Sequence, residues 1–286
     1  MKTRMLAVIG LAATSMLILA GCAGADKAAP APKPAASFAA GSTMEKLAKA
    51  GKITIGTKFD QPLFGLKGPE GPIGFDVEIG KLIAASLGIK ASAIEWKEAV
   101  SANREPFIDT GQVDLVIATY TINDKRKEVV SFAGPYYEAG QSILVKADDK
   151  TIKSEKDLVG KQVCSVTGST PAAKLAEIGA VPLLTDTYSN CLEPLRSGAV
   201  VAVSTDNVIL AGLAAQNEGE FKVVGKPFTK EPYGIGLKRD DTDFRTYIND
   251  LLTKSYKDGS YKKAWEDTAG KVLPYVDPPA VDNYAL

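Results

Sequence analysis

The stretch Val113–Tyr137, VDLVIATYTINDKRKEVVSFAGPYY, decides how the rest of the chain is read. Val113 to Ala118 is an apolar run broken only by Asp114, as suits a strand buried on both faces of a parallel sheet. Thr121 to Asn123 then offers side chains that can cap a new helix. A strand ending where a helix begins leaves backbone N–H groups unpaired at a positive helix end. One turn inside, Arg126 can grip a carboxylate in bidentate fashion. The stretch reads as a carboxylate-binding corner, although the same residues also fit an ordinary strand, turn and amphipathic helix with a solvated arginine.

Outward from this corner, strands and helices alternate. Met44 to Ala50 reads as a short helix stopped by Gly51, and Lys52 to Thr57 as a strand. Ile79, Leu82, Ile83 and Leu87 share a helical face that ends at Gly88, Ile89 to Trp96 is extended, and Asn103 to Thr110 is a short helix. That is the βαβαβ alternation of a parallel sheet, whose ligands bind beyond the carboxyl ends of the strands. Lys58–Gly65, Ala99–Arg104 and Thr119–Asn123 should gather there. A second alternation follows Ser142–Val145, with strands at Val163–Val166, Val181–Leu184 and Val200–Ser204. Between them come a helix capped by Thr170 with Pro171 first, and a short helix at Asn190–Arg196 that contains Pro194. Asp206–Gln216 reads as a helix, Phe221–Val224 and Tyr233–Lys238 as strands, and Phe244 to Leu252 as one face of a long amphipathic helix. Tyr261, Ala264 and Trp265 continue a helical pattern beyond Gly259.

The 286 residues carry 34 basic and 34 acidic side chains and no histidine. Such a chain is globular, long enough for two domains, and without the charge imbalance of a nucleic-acid binder. The missing histidines argue against Ser-His-Asp and Cys-His catalysis and most zinc sites, so neither metal nor cofactor is expected. Lys2 and Arg4 precede an apolar segment, Met5–Ala20, that runs into Leu19-Ala20-Gly21-Cys22. At about 1.5 Å per residue, such a segment falls short of a membrane core of about 30 Å. We read residues 1–21 as a lipoprotein signal peptide, Cys22 as the lipidated first residue of the mature protein, and 22–42 as a flexible, Ala- and Pro-rich tether. The expected location is the outer face of the cell membrane, through the lipid. With Cys22 used, Cys164 and Cys191 remain in an exported, oxidising setting and are expected to pair; two unpaired buried thiols are the alternative.

Four ordered motifs now carry a resemblance: GFDVEIGKLIAASLG at 74–88, ATYTINDKRK at 118–127, FAGPYY at 132–137 and YGIGLKRDD at 233–241. Together they resemble the family 3 extracellular solute-binding proteins, amino-acid receptors of ABC importers, from about Ile53 to Gly270. KFDQP at 58–62, CSVTGSTP at 164–171 and DTYSNC at 186–191 look most similar to glutamate-binding members. The resemblance implies a two-lobed α/β fold, each lobe a mainly parallel sheet flanked by helices, joined by two crossovers near Tyr136–Gly140 and Phe228–Tyr233. Lobe 1 would comprise 43–137 plus 234–286, and lobe 2, with the hinge, 138–233. By motif position, Arg126 and Thr121 would hold a ligand α-carboxylate, helped by Ser169 and Thr170 from lobe 2. Asp206 would take the α-ammonium, with Thr119 and Tyr233 lining the cleft. Lys58 and Arg104 are the candidates for a side-chain carboxylate, because a buried charge needs a partner.

The expected function is capture of glutamate, or aspartate, by a monomeric receptor that delivers it to a membrane permease. Simpler roles for the same residues are a solvated loop lysine at 58, a surface arginine at 104 and a plain helix cap at Asp206. An enzyme resembling cyclohexadienyl dehydratases would need an acid in the cleft, for which Glu98 and Glu231 are nearest. A sensor or adhesin is a third possibility, and a glutamine or other polar amino-acid receptor a fourth.

Overall fold

The computed structural model describes residues 37–281, so the signal segment and Cys22 lie outside the described residues. The first half contains α1 (Thr43–Ala50), β1 (Ile53–Thr57), β2 (Asp60–Gln61), β3 (Gly65–Gly68), β4 (Gly71–Ile73), α2 (Phe75–Ser86), β5 (Ile94–Glu98), α3 (Arg104–Asp109), β6 (Leu115–Val116), α4 (Asp124–Lys127) and β7 (Val130–Ala139). Then come β8 (Gln141–Lys146), β9 (Gln162–Val166), α5 (Thr170–Glu177), β10 (Val181–Thr185), α6 (Leu192–Ser197), β11 (Ala202–Asp206), α7 (Asn207–Gln216) and β12 (Phe221–Val224). The chain ends with β13 (Glu231–Lys238), α8 (Thr242–Asp258) and α9 (Ser260–Asp267).

Two five-stranded sheets result, ordered β5-β1-β6-β13-β7 and β10-β9-β11-β8-β12. In each, four strands point one way and one runs against them: β13 in the first, β8 in the second. The chain passes from the first sheet to the second at Gly140 and returns between β12 and β13. The two passages run side by side. Glu231 pairs with Ala139 and Pro232 with Glu138, and Phe228 N–H donates to the Gln141 carbonyl (3.0 Å). Beneath the first sheet's carboxyl end lies an aromatic cluster of Phe64, Phe75, Tyr136, Tyr137, Tyr233, Tyr261 and Trp265, with neighbouring ring centroids 5–6 Å apart. These rings bury a large apolar area.

Several details differ from the sequence reading. The strand expected over Val113–Ala118 is only two residues long, and beyond it Thr119 turns the backbone to φ +46°. Asp114 N–H and Ile117 N–H still bond to β1 on either side of it (2.8 Å each). Ile89–Trp96 is not extended throughout: Ala91–Ala93 forms a 3₁₀ turn before β5. Ser169, not Thr170, caps α5, its hydroxyl accepting from Ala172 N–H at 3.1 Å. The small sheet β2-β3-β4 was not expected at all. At the near end of the stretch read as tether, Phe38 packs edge-on against Tyr247 with centroids 5.5 Å apart, so that end lies against the folded body.

Candidate functional site

Asn123 caps α4 by accepting from Arg126 N–H (2.9 Å), but α4 is a single turn, so the charge here belongs to Arg126 itself. The Arg126 guanidinium is buried. Its Nε lies 3.2 Å from Glu105, and it donates to the Thr121 carbonyl (2.6 Å) and, from the second sheet's side, to the Gly168 carbonyl (3.3 Å). Thr119 is held by Asp76, buried in α2, whose carboxylate accepts from Thr119 N–H (2.8 Å) and Tyr136 O–H (2.6 Å). Burial pushes the Asp76 carboxyl up to about 7, against the pull of those two bonds and of Arg104.

Arg104 is 4% exposed and donates only to neutral acceptors: the Ala118, Thr119 and Ser101 carbonyls and the Ser101 hydroxyl. Among the described residues, no carboxylate lies within ion-pair distance of it. Burial and the nearby Arg126 both lower its pKa. The two guanidiniums share a ring: the carbons of Arg104 and Arg126 lie 4.7 and 4.9 Å from the Tyr120 centroid. A cation against an aromatic face is favourable, so the ring offsets part of their repulsion. Gly236 leaves the space that Tyr120 fills; a Cβ there would stand 2.7 Å from the ring.

Across the chamber Asp206 is 3% exposed. Its Oδ2 accepts from Tyr233 O–H at 2.6 Å, while Oδ1 is buried with no hydrogen-bond partner. Burial and then the nearby Glu231 raise its pKa to about 8. Its side chain makes no capping bond to α7, so the plain helix-cap role is ruled out.

One chamber is lined by Arg104, Thr119, Thr121, Arg126, Ser169, Thr170 and Asp206, together with Gln61, Ser101, Pro171, Tyr188 and Ile209. Seven of the nine residues singled out from the sequence therefore meet. Tyr233 lies behind Asp206. Lys58 does not line the chamber: it is buried, with Nζ 3.3 Å from Asp60, so it is not a solvated loop lysine. Glu231, read from the sequence only as an acid near the cleft, gathers hydroxyls from both lobes. Its Oε2 accepts from both Thr121 and Thr170 hydroxyls (2.7 Å each), and its Oε1 from Thr229 (2.8 Å). Gln61, which accepts from the Thr119 hydroxyl (2.9 Å), and Asp76 were missed; each stands in a quoted motif, but nothing in the pattern marked it as buried.

Comparison with known proteins extends the geometry. Residues 53–268 match the model of the bacterial extracellular solute-binding proteins, family 3. The glutamate-binding protein GluB of Corynebacterium efficiens is 44% identical over 234 residues, 77% of this chain and 80% of that protein. The ABC transporter glutamine-binding protein GlnH of Bacillus subtilis is 38% identical over 266 residues, 91% of this chain and 94% of that protein. Among solved structures, an ancestral arginine-binding protein bound to glutamine superposes with a TM-score of 0.72 at 37% identity, covering 76% of this chain and 97% of that one. A solute receptor for L-cysteine of Neisseria gonorrhoeae gives a TM-score of 0.77 at 28% identity, covering 84% and 99%. With the two-lobed α/β fold and a chamber lined by opposed charges, this chain belongs to the family 3 extracellular solute-binding proteins, the amino-acid receptors of ABC importers.

Proposed function

We propose that the protein captures an acidic amino acid, glutamate in the first place, by closing its two lobes around it and handing it to a membrane permease. The observation that carries this reading is Arg104: a buried guanidinium without a carboxylate, in the same chamber as Arg126. A buried cation left unpaired costs several kcal/mol by general experience, so the chamber favours a ligand that brings a second negative group. Arg126 is assigned the α-carboxylate, and the unpartnered Oδ1 of Asp206 the α-ammonium. Thr121, Ser169 and Thr170 complete the wall. Because the Thr121 and Thr170 hydroxyls donate to Glu231, we assign them lone pairs offered to the ammonium side instead of the α-carboxylate contacts expected from the sequence. The name of GluB agrees with glutamate.

Glutamine is the second reading. It is favoured by the pairing of Lys58 with Asp60, which removes one of the two cations expected for a side-chain carboxylate, and by the name of GlnH. Calorimetric titration with glutamate, aspartate, glutamine and asparagine decides between them. Charge-assisted hydrogen bonds are worth about 1.5 to 3 kcal/mol each, so glutamate should bind at least tenfold more tightly than glutamine, and Arg104→Gln should narrow that ratio. Equal binding of the two by the wild type overturns the acidic assignment. We further assign Cys22 as a lipid anchor holding a monomeric receptor at the extracytoplasmic face.

A further inference from the structure

The Asp60–Pro62 turn, in the loop after β1, makes contacts that the ligand chamber does not require. The Asp60 Oδ2 accepts from Tyr188 N–H (2.8 Å) and Ser189 N–H (3.4 Å), at the start of a 3₁₀ turn in the second lobe. Its Oδ1 faces Lys58 Nζ at 3.3 Å; the two side chains are 8% and 1% exposed. Two residues on, the Pro62 carbonyl lies against Gly212 in the middle of α7. A Cβ at Gly212 would stand 2.5 Å from the Pro62 oxygen, 3.1 Å from its carbonyl carbon and 3.2 Å from its Cβ. Outside the backbone of its own helix, the three nearest atoms all belong to Pro62, so the tightest approach at Gly212 comes from the other lobe. Glycine is a poor residue for a helix interior, and here it permits a close backbone approach.

We infer that this turn is a clasp: as the lobes close, it seats on the Tyr188–Ser189 N–H groups and on Gly212 and holds the closed form together. The inference rests on the lobe closure proposed above. Asp60 and Lys58 lie on one segment and travel together, so the lysine keeps the carboxylate neutralised while it is buried, and the carboxylate gains charge-assisted N–H bonds only on closure. This gives Lys58 a positioning role through Asp60 rather than a place on the ligand. It also makes the clasp indifferent to the ligand's side chain.

Gly212→Ala and Asp60→Ala test it, each measured for glutamate and glutamine affinity, dissociation rate, and melting without ligand. Alanine is the better helix residue, so Gly212→Ala should melt at the same or a higher temperature without ligand, yet bind both amino acids at least tenfold more weakly. The loss should appear mainly as faster dissociation. Asp60→Ala should weaken both ligands by about tenfold or more and leave the glutamate-to-glutamine ratio unchanged. If Asp60→Ala also lowers the ligand-free melting temperature, Gly212→Ala decides, because it leaves the ion pair intact. Wild-type affinity in Gly212→Ala, or a changed ligand ratio in Asp60→Ala, overturns the clasp. Small-angle scattering of the wild type separates this from the underlying reading: no compaction with glutamate removes closure and clasp together, whereas compaction with a tightly binding Gly212→Ala removes the clasp alone.

Discussion

Arg126 and Arg104 lie against one ring, yet they differ in what removing them should do. Arg126 carries its own counter-ion, Glu105, and is assigned the carboxylate common to every amino acid. Arg126→Ala should weaken glutamate and glutamine alike, by about 10² to 10⁴ in affinity, because a buried carboxylate loses its bidentate partner; calorimetry on both ligands reads this directly. A second residue-scale prediction concerns Asp76. Its carboxyl is raised from an ordinary value near 3.8 to about 7, so the folded protein holds a proton that the unfolded chain gives up. The stability this adds is complete below pH 4 and is lost as pH rises through about 7, at up to about 1.4 kcal/mol per pH unit in between. The ligand-free melting temperature should therefore fall more steeply between pH 5 and 8 in the wild type than in Asp76→Asn. Equal slopes would show that the carboxyl is ionised throughout. Neither the burial of Asp76 nor its hold on Thr119 was legible in the sequence, because a helix face spaced for burial does not reveal which polar residue faces inward with it.

Elements were more legible than contacts. The alternation of strands and helices, the turn at Gly168 into α5 and the paired helices α8 and α9 follow from periodicity, caps and glycine stops, which are local signals. The length of β6, the added β2-β3-β4 sheet and the pairing of Lys58 with Asp60 depend on residues far apart in the chain, and one sequence carries no trace of those distances. Cys164 and Cys191 were paired by elimination, and their sulfur atoms are bonded, with Cα atoms 5.6 Å apart. The bond ties β9 to the segment just before α6, the same segment that presents Tyr188 and Ser189. For a loop of about 28 residues the chain-entropy estimate is about 3 to 4 kcal/mol. Reduction should lower the melting temperature by several degrees, and thiol counting under denaturing, non-reducing conditions should find neither cysteine free. Two free thiols in exported protein would contradict the pairing.

At the scale of the molecule, the assignments predict motion and place. Scattering should show a smaller radius of gyration on addition of glutamate, since a ligand bridging two lobes selects the closed arrangement. Cys22→Ser should move the protein from the detergent phase to the aqueous phase, because each buried acyl CH₂ contributes about 0.8 kcal/mol to anchoring; retention in detergent would count against the anchor. The two passages between the sheets bear on how such motion proceeds. They are not independent threads: the backbone of one is paired with that of the other as far as Ala139 and Glu231, and is bonded to it again at Gln141 and Phe228. A bonded ribbon flexes readily across its flat face and resists sliding or twisting within its plane. In mechanical terms the molecule is a pair of tongs on a leaf spring. On the proposed closure its jaws should travel along one arc, so Ala102 and Gly168, which lie against each other across the two lobes, should meet in the same register at every stroke.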